Sequence, residues 1–349
     1  MILTLERIGL LKRLLQCGII LFLGAFCNVR IYCSILLITH SYNRPDFIEI
    51  QYKTFKKFLQ DEHEYVVFND AKDEDMAKNI ENICAKYNIR CIRIAQHLHE
   101  IPFADFPTVS PAQNSSMRHA IGIQFSLDTV GYIHNDIVCI VDSDMFLIRP
   151  FSIRQYLKDE KVAIAAFMRN INDIDFMWPG LVFLCMPELP NKDELCFHCG
   201  IVNGKGVDTG GYTYHYLHQY PHIKVKAIDV IYGYKLFCPY FTAPQHWSSY
   251  FPPTRPRRGM DLRQLIEWDW NHRVTDSLSN TVKVKKFRKL GFTNKEIKFL
   301  LNKPDTIDFF LHHHFLHYQM GSNWIGSNEQ YINNKNHILN QFIEDILRE

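Results

Sequence analysis

The sequence has almost no net charge to offer a polyanion: Lys and Arg total 39 against 37 Asp and Glu over 349 residues, a formal balance of +2. Binding that rests on neutralising many phosphates needs a surplus of bases, so a nucleic-acid binder of that kind is excluded and any phosphate contact is local. The one glycine-dense stretch, Asn203 to Gly211, has neither the G-x-x-x-x-G-K-[ST] nor the G-x-G-x-x-G spacing that cradles phosphates, and reads as a tight turn presenting Asp208. Cys196-Phe-His-Cys199 lacks a second pair at matching spacing, which favours local thiols or a disulfide over zinc. Cys33, Cys91, Cys139 and Cys185 fall in apolar runs, where a thiol behaves as a small buried hydrophobe.

Long hydrophobic runs are also scarce: the longest is short for a bilayer span, which needs about twenty residues. Leu14 to Val29 is apolar apart from Gln16 and Asn28 and lies between Lys12-Arg13 and Arg30. It fits a signal peptide or a signal anchor, with small residues at Ala25 and Cys27, or an apolar helix packed on the domain; membrane association or secretory targeting is favoured over a cytoplasmic location. Asn114-Ser115-Ser116 is a glycosylation sequon but too common a pattern to prove secretion.

What is present is a large apolar content, 47%, enough for one large α/β domain with an elaborated C-terminal half. Tyr32 to Thr39 reads as a strand, Pro45 to Leu59 as a helix, Tyr65 to Phe68 as a strand, and Asp73 as the cap of a helix with Met76, Ile80, Ile83, Cys84 and Tyr87 on one stripe. Ile89 to Ala95 is a third strand, and this alternation predicts a parallel, doubly wound sheet. Gln96 to Ser115, with prolines at 102, 107 and 111, reads as a loop, and a helix from Ser116 to about Asp128 carries Arg118. Ser152 and Gln155 form a capping box for a helix over 153–157, and Val162 to Phe167 reads as a fifth strand. Trp178-Pro179-Gly180 then leads into an apolar run, Leu181 to Met186. The basic Phe251 to Arg258 segment reads as a lid or connection, Thr293 with Glu296 as the start of a short helix, and Ser327 as the cap of a terminal one.

The centre of the chain is Ile137-Val-Cys-Ile-Val141 followed by Asp142-Ser143-Asp144. Five apolar residues predict a strand buried on both faces, and two carboxylates at its end need a reason. Ligands of open α/β sheets sit at the carboxyl ends of strands, where hard dications take carboxylate oxygens together with a substrate's phosphates. For a bare D-x-D a solvated turn is the better explanation, because short motifs match by chance, so the surroundings decide. Near the C-terminus, His312, His313, His314 and His317 precede a Gly321-Ser-Asn-Trp324 turn; in an extended segment His312 and His314 share one face and His313 and His317 the other, so at most two or three converge.

Taken together, Ile-Thr39-His40-Ser-Tyr-Asn43-Arg44-Pro, the strand ending in Asn69-Asp70, Arg118 on the helix before the acid pair, and Asp142-Ser-Asp144 resemble a GT-A-type glycosyltransferase of the nucleotide-diphospho-sugar transferase superfamily. His317-Tyr-Gln-Met-Gly-Ser-Asn-Trp324 is similar to the late H-x-x-G-x-x-K-P-W segment of glycogenin-like transferases, with one extra residue before the glycine and no Lys-Pro pair. The resemblance implies a GT-A-like, mostly parallel catalytic domain over 31–326, after a hydrophobic segment 1–30 and before a C-terminal helix 327–349. It implies Mn2+ or Mg2+ on Asp144 and His317, with His314 the competing ligand and Asp142 contacting the metal or the donor's ribose. Donor contacts would come from Thr39, His40, Asn43, Arg44, Asp70 and Arg118. A nucleoside-diphosphate sugar would be the donor and a hydroxyl group on a glycan, protein or lipid the acceptor, with Asp208 the candidate base and Trp178 the candidate sugar platform. Two other classes compete. A haloacid-dehalogenase-like phosphatase also uses D-x-D, but early in the chain and with Thr or Val where Phe146 stands here. A non-catalytic carbohydrate-binding relic of the fold is the third reading.

Overall fold

The computed structural model describes residues 34–158, 161–171, 173–228, 230–232, 310–312, 314–318 and 329–348, with the single positions 288 and 294. The apolar 14–29 run, the 251–258 segment, the helix expected from Thr293 and the Gly321 to Trp324 turn lie outside them. Among the described residues no helix is long and apolar enough to cross a membrane.

The first half follows the expected alternation. Strand β1 (Ile35–Ser41) leads into helix α1 (Pro45–Phe58), whose first turn accepts Pro45 because the N–H there has no intrahelical partner. After β2 (His63–Asn69), the Asp73 carboxylate accepts the Met76 N–H at 2.8 Å and opens α2 (Glu74–Lys86), which returns the chain to β3 (Arg90–Arg93). The loop that follows holds only short 3-10 turns at 96–100 and 111–113. Helix α3 (Ser115–Ser126) starts one residue earlier than expected because Asn114 is its cap, accepting the Met117 N–H. Strand β4 (Ile137–Val141) is fully buried and turns into β5 (Met145–Leu147).

The chain continues through α4 (Ile153–Lys158), β6 (Ile164–Ile171), β7 (Ile174–Cys185), the hairpin β8 (Gly200–Val202) and β9 (Lys205–Val207), α5 (Thr213–Gln219), β10 (Val225–Ala227), β11 (Val230–Tyr232), β12 (Phe310–His312), β13 (Phe315–His317) and α6 (Glu329–Arg348). The main sheet has the order β10-β6-β7-β4-β1-β2-β3. Only β7 runs against the others, so the mostly parallel, doubly wound sheet is present. From β1 the chain winds outward through β2 and β3, then returns to place β4 on the other side of β1. This reversal opens a crevice between the carboxyl ends of β1 and β4, the usual ligand site of such sheets. One core layer packs α1 and α2 against the sheet through Ile48, Phe55 and Ile80; the opposite face is covered through Ile123, Leu127 and Tyr216.

Three local expectations are corrected. Trp178-Pro-Gly180 does not precede a strand but lies inside β7: the β6–β7 register jumps from Ala166 opposite Val182 to Phe167 opposite Trp178. Pro179 donates no hydrogen bond, and a bulge is where an antiparallel ladder tolerates it. The glycine-dense stretch is not one turn. Asn203 and Gly204, with φ of 50° and 72°, make the two-residue connection of the β8–β9 hairpin, and Asp208 begins a separate turn into α5. Finally, the histidine-rich segment folds back on itself, with β13 pairing both β12 and β5 in a second sheet, so its side chains do not follow one continuous alternation.

Candidate functional site

The antiparallel register of β13 on β5 places His317 opposite Met145, one residue beyond Asp144. The Tyr318 N–H donates to the Asp144 carbonyl oxygen at 2.8 Å and locks that pairing at its edge. In consequence His317 Nε2 lies 3.4 Å from Asp144 Oδ1, and ligand atoms of Asp142, Asp144 and His317 all fall within 4.8 Å of one another. It is the one such group of three among the described residues. Of the two candidate histidines, His317 belongs to this group, while the ring of His314 packs on Phe151 with centroids 5.3 Å apart.

Asp142 and Asp144 owe their spacing to a tight turn between β4 and β5. The Met145 N–H donates to the Asp142 carbonyl oxygen at 3.0 Å, and the Asp142 N–H donates to Gly180 O on β7 at 2.8 Å. His119 of α3 brings Nε2 to 3.1 Å from Asp142 Oδ1. Burial alone would lower its proton affinity, but Asp142, helped by Asp70 and Asp208, raises it above the ordinary imidazole value. The sequence reading missed His119, although it follows Arg118 directly and α3 was expected to face the site.

The expected donor residues cluster at the neighbouring strand end but are engaged differently from one another. Asp70 is buried and accepts Arg118 Nε at 2.8 Å, Arg118 Nη2 at 2.9 Å and His99 Nε2 at 2.6 Å. Arg118 also donates to Gln96 Oε1 at 2.7 Å and lies over the Tyr42 ring at 4.9 Å. Its guanidinium is thereby tied to the β2 end and the 96–100 turn. Arg44 points elsewhere: it grips Asp46 through Nε and Nη2, reaches Asn336 of α6 at 3.1 Å and lies 3.5 Å over the Phe47 ring. By contrast the buried hydroxyls of Thr39 and Ser41, and Oδ1 of Asn43, have no hydrogen-bond partner among the described residues. Buried polar atoms are nearly always paired, so unpaired ones at the end of β1 mark a place for a polar ligand or ordered water.

His40 is half-buried against Phe68 and His119, with Nε2 3.0 Å from Ser126 Oγ. Burial, reinforced by the nearby His119, pushes its imidazole down from 6.5 to about 3. The unfolded chain therefore takes up a proton at this position as pH falls below 6.5, whereas the folded chain does not until about 3. Stability is lost across that window, by about 1.4 kcal/mol per pH unit at most. We expect His40→Gln to flatten the fall of Tm between pH 6 and pH 4; parallel melting curves for the two proteins would contradict this.

Asp208 accepts Arg169 Nη1 at 2.7 Å and the Thr209 N–H at 2.8 Å, and Thr209 Oγ1 fastens the turn to Ser116 O at 2.9 Å. Burial raises its proton affinity, but Arg169 and the hydrogen bonds from the Ser116 side chain and the Thr209 N–H outweigh that and hold the carboxyl below its ordinary range. A general base works best with a pKa near the operating pH, so this is the opposite displacement. Trp178 is half-buried, with its ring centroid 5.5 Å from that of His317 and 5.8 Å from that of Phe167. It stands beside the acid–imidazole cluster.

No family model matches the sequence, and no curated protein matches it. Solved structures do match, with low identity. Core-mannan synthase A from Aspergillus fumigatus in its Mn/GDP form is 7% identical at a TM-score of 0.33, covering 48% of this chain and 63% of that one. Glucosyl-3-phosphoglycerate synthase from Mycobacterium tuberculosis in complex with Mn2+ and UDP-glucose is 14% identical at 0.33, over 55% and 68%. The mannosyltransferase of Pyrobaculum calidifontis in complex with GDP-Man and Mn2+ is 14% identical at 0.31, over 56% and 54%. The chain thus spans less than two thirds of two of these three proteins.

Proposed function

We propose that this chain is a metal-dependent glycosyltransferase that moves a sugar from a nucleoside-diphosphate sugar to a hydroxyl acceptor. The observation that carries the reading is the meeting of Asp142, Asp144 and His317, from distant parts of the chain, within 4.8 Å at the carboxyl end of the central strand. Two carboxylates and an imidazole form a mixed oxygen and nitrogen set that suits Mn2+, with Mg2+ the harder alternative. A dication there would offset the negative charge that gathers on the diphosphate as its bond to the anomeric carbon breaks.

The chain's own residues have the following parts in this reading. Asp142 faces the crevice with His119 as its orienting partner, and Asp144 and His317 complete the ligand set. The unpaired hydroxyls of Thr39 and Ser41, with Asn43, supply hydrogen bonds to the donor's ribose or base. His40 packs beside them, while Asp70 and Arg118, bonded to each other, hold the shape of that wall. Arg44 fixes the loop to α6 through Asn336. Trp178 gives the transferred sugar or the acceptor an aromatic face next to His317. Asp208 is the candidate to take the acceptor's proton, a demanding part for a carboxylate so firmly bonded to Arg169. The named structural neighbours were captured with Mn and GDP, UDP-glucose or GDP-Man, and this supports the same ligand classes here. Attachment to a membrane through residues 14–29 belongs to the proposal and rests on their apolarity.

Incubation with UDP-sugars and GDP-sugars plus Mn2+ tests the reading. Slow release of the nucleoside diphosphate, lost on chelation, is the expected result. Inorganic phosphate would instead identify a phosphatase, and no release with any donor, together with sugar binding, would identify a carbohydrate-binding module.

A further inference from the structure

Helix α1 carries a polar side chain where its apolar stripe should continue. Gln51 is 0% exposed and follows Phe47 by one helical turn, among Ile48, Thr54 and Phe55. A buried amide brings four hydrogen-bonding positions that need partners. Here Nε2 donates to the Asp142 carbonyl oxygen at 2.7 Å and to the Met145 carbonyl oxygen at 2.9 Å. Its Oε1 accepts the hydroxyl of Tyr65 on β2 at 2.6 Å. The two acceptors are the first and last residues of the turn that presents the acid pair. The Tyr65 hydroxyl leaves the amide only one orientation in which all three bonds form, with nitrogen toward the turn.

We propose that Gln51, oriented by Tyr65, is the positioning residue of the Asp142–Asp144–His317 centre: it fixes both ends of the β4–β5 turn and so sets the separation of the two carboxylates. The inference rests on the metal reading given above and adds to it the element that preorganises the site. Bending of this turn would be opposed in any α/β protein by the strands on either side. What the amide adds is a brace from outside both strands, anchored in α1 and β2 at once. Groups that hold ligands in place change metal affinity by about 10–100-fold when removed, even though they never touch the ion.

The test is Mn2+ binding to the full chain by electron paramagnetic resonance, with Tm measured without metal, for wild type, Gln51→Met, Tyr65→Phe and Ile80→Ala. Gln51→Met keeps the length of the side chain and removes both donors, so Mn2+ affinity should fall by about 10–100-fold. Tyr65→Phe keeps the ring and frees the amide to turn over, so affinity should fall in the same direction by less. Ile80, buried on α2 away from the turn, is the control for simple loss of packing: Tm should drop with Mn2+ affinity unchanged. Unchanged affinity in Tyr65→Phe and Gln51→Met would overturn the inference, and where Gln51→Met does not fold, unchanged affinity in Tyr65→Phe overturns it alone. A wild-type chain that binds no Mn2+ overturns the metal reading itself, and the two failures are therefore distinct.

Discussion

Asp144→Asn is expected to abolish Mn2+-dependent release of the nucleoside diphosphate, lowering it by more than about 100-fold, while the protein still folds. The asparagine keeps the size and the hydrogen-bonding shape of the side chain and removes the charge that a dication needs. The fold survives because the link from β13 to this turn is the Tyr318 N–H to the backbone oxygen of residue 144, which the substitution leaves in place. His317, 3.4 Å from the lost oxygen, and Asp142 would remain as two of the three ligands. Unchanged metal-dependent turnover in Asp144→Asn, with a normal circular dichroism spectrum, would remove Asp144 from the site.

The second large effect is one of stability. Gly210→Ala is expected to cost about 4 kcal/mol or more, a major part of the margin of an ordinary domain. Gly210 has φ of +86°, and a Cβ there would stand 2.0 Å from the Met177 carbonyl oxygen and 3.1 Å from Pro179 Cδ. The left-handed conformation alone costs a side chain about 1–2 kcal/mol, and a backbone oxygen has no room to retreat. The same turn is held by the Gly210 N–H on Phe197 O and by Thr213 Oγ1, which donates to Gly210 O at 2.7 Å and accepts the Met177 N–H at 2.9 Å. Displacing it moves β7 next to Trp178. Gly204→Ala is the comparison: φ is +72° but nothing lies within 4 Å of the added carbon, so only the conformational cost applies. Chemical denaturation of both variants measures the difference, and equal losses would show that the contact with Met177 is not what matters.

Much of the scaffold was legible because its signals are local. The β4 sequence is apolar at every position and ends in two acids, and the α2 cap is an aspartate three residues before the N–H it accepts. His317 could be paired with the acids only through a resemblance, since no pattern in the sequence joins residue 144 to residue 317; the β5–β13 ladder does that in three dimensions. The β8–β9 hairpin was missed although Asn203-Gly204 is a strong turn signal, because the following glycines drew the whole stretch into a single turn. The bulge in β7 hid behind Trp-Pro-Gly, which marks a break in most strands and here marks an irregularity within one.

Gln51 and His119 escaped for a different reason. Each is an isolated polar residue on a helix, and its meaning depends on where that helix packs. For Gln51 a signal did exist, a glutamine and a threonine at positions 51 and 54 of an otherwise apolar stripe. A polar group on the core side of a helix must find a partner, and Gln51 finds it in the backbone oxygens of Asp142 and Met145. The engagement of Arg118 with Asp70 was likewise beyond reach, because a basic residue near a phosphate site and one bonded to a carboxylate look alike in sequence.

The most direct measurement is anomalous scattering at the manganese edge from crystals soaked with Mn2+ and a nucleoside diphosphate. The account predicts one peak within about 2.1 Å of oxygens of Asp144 and the Nε2 of His317, with Asp142 bound directly or through a single water. A peak at any other place, or none at the carboxyl end of β4, would contradict it.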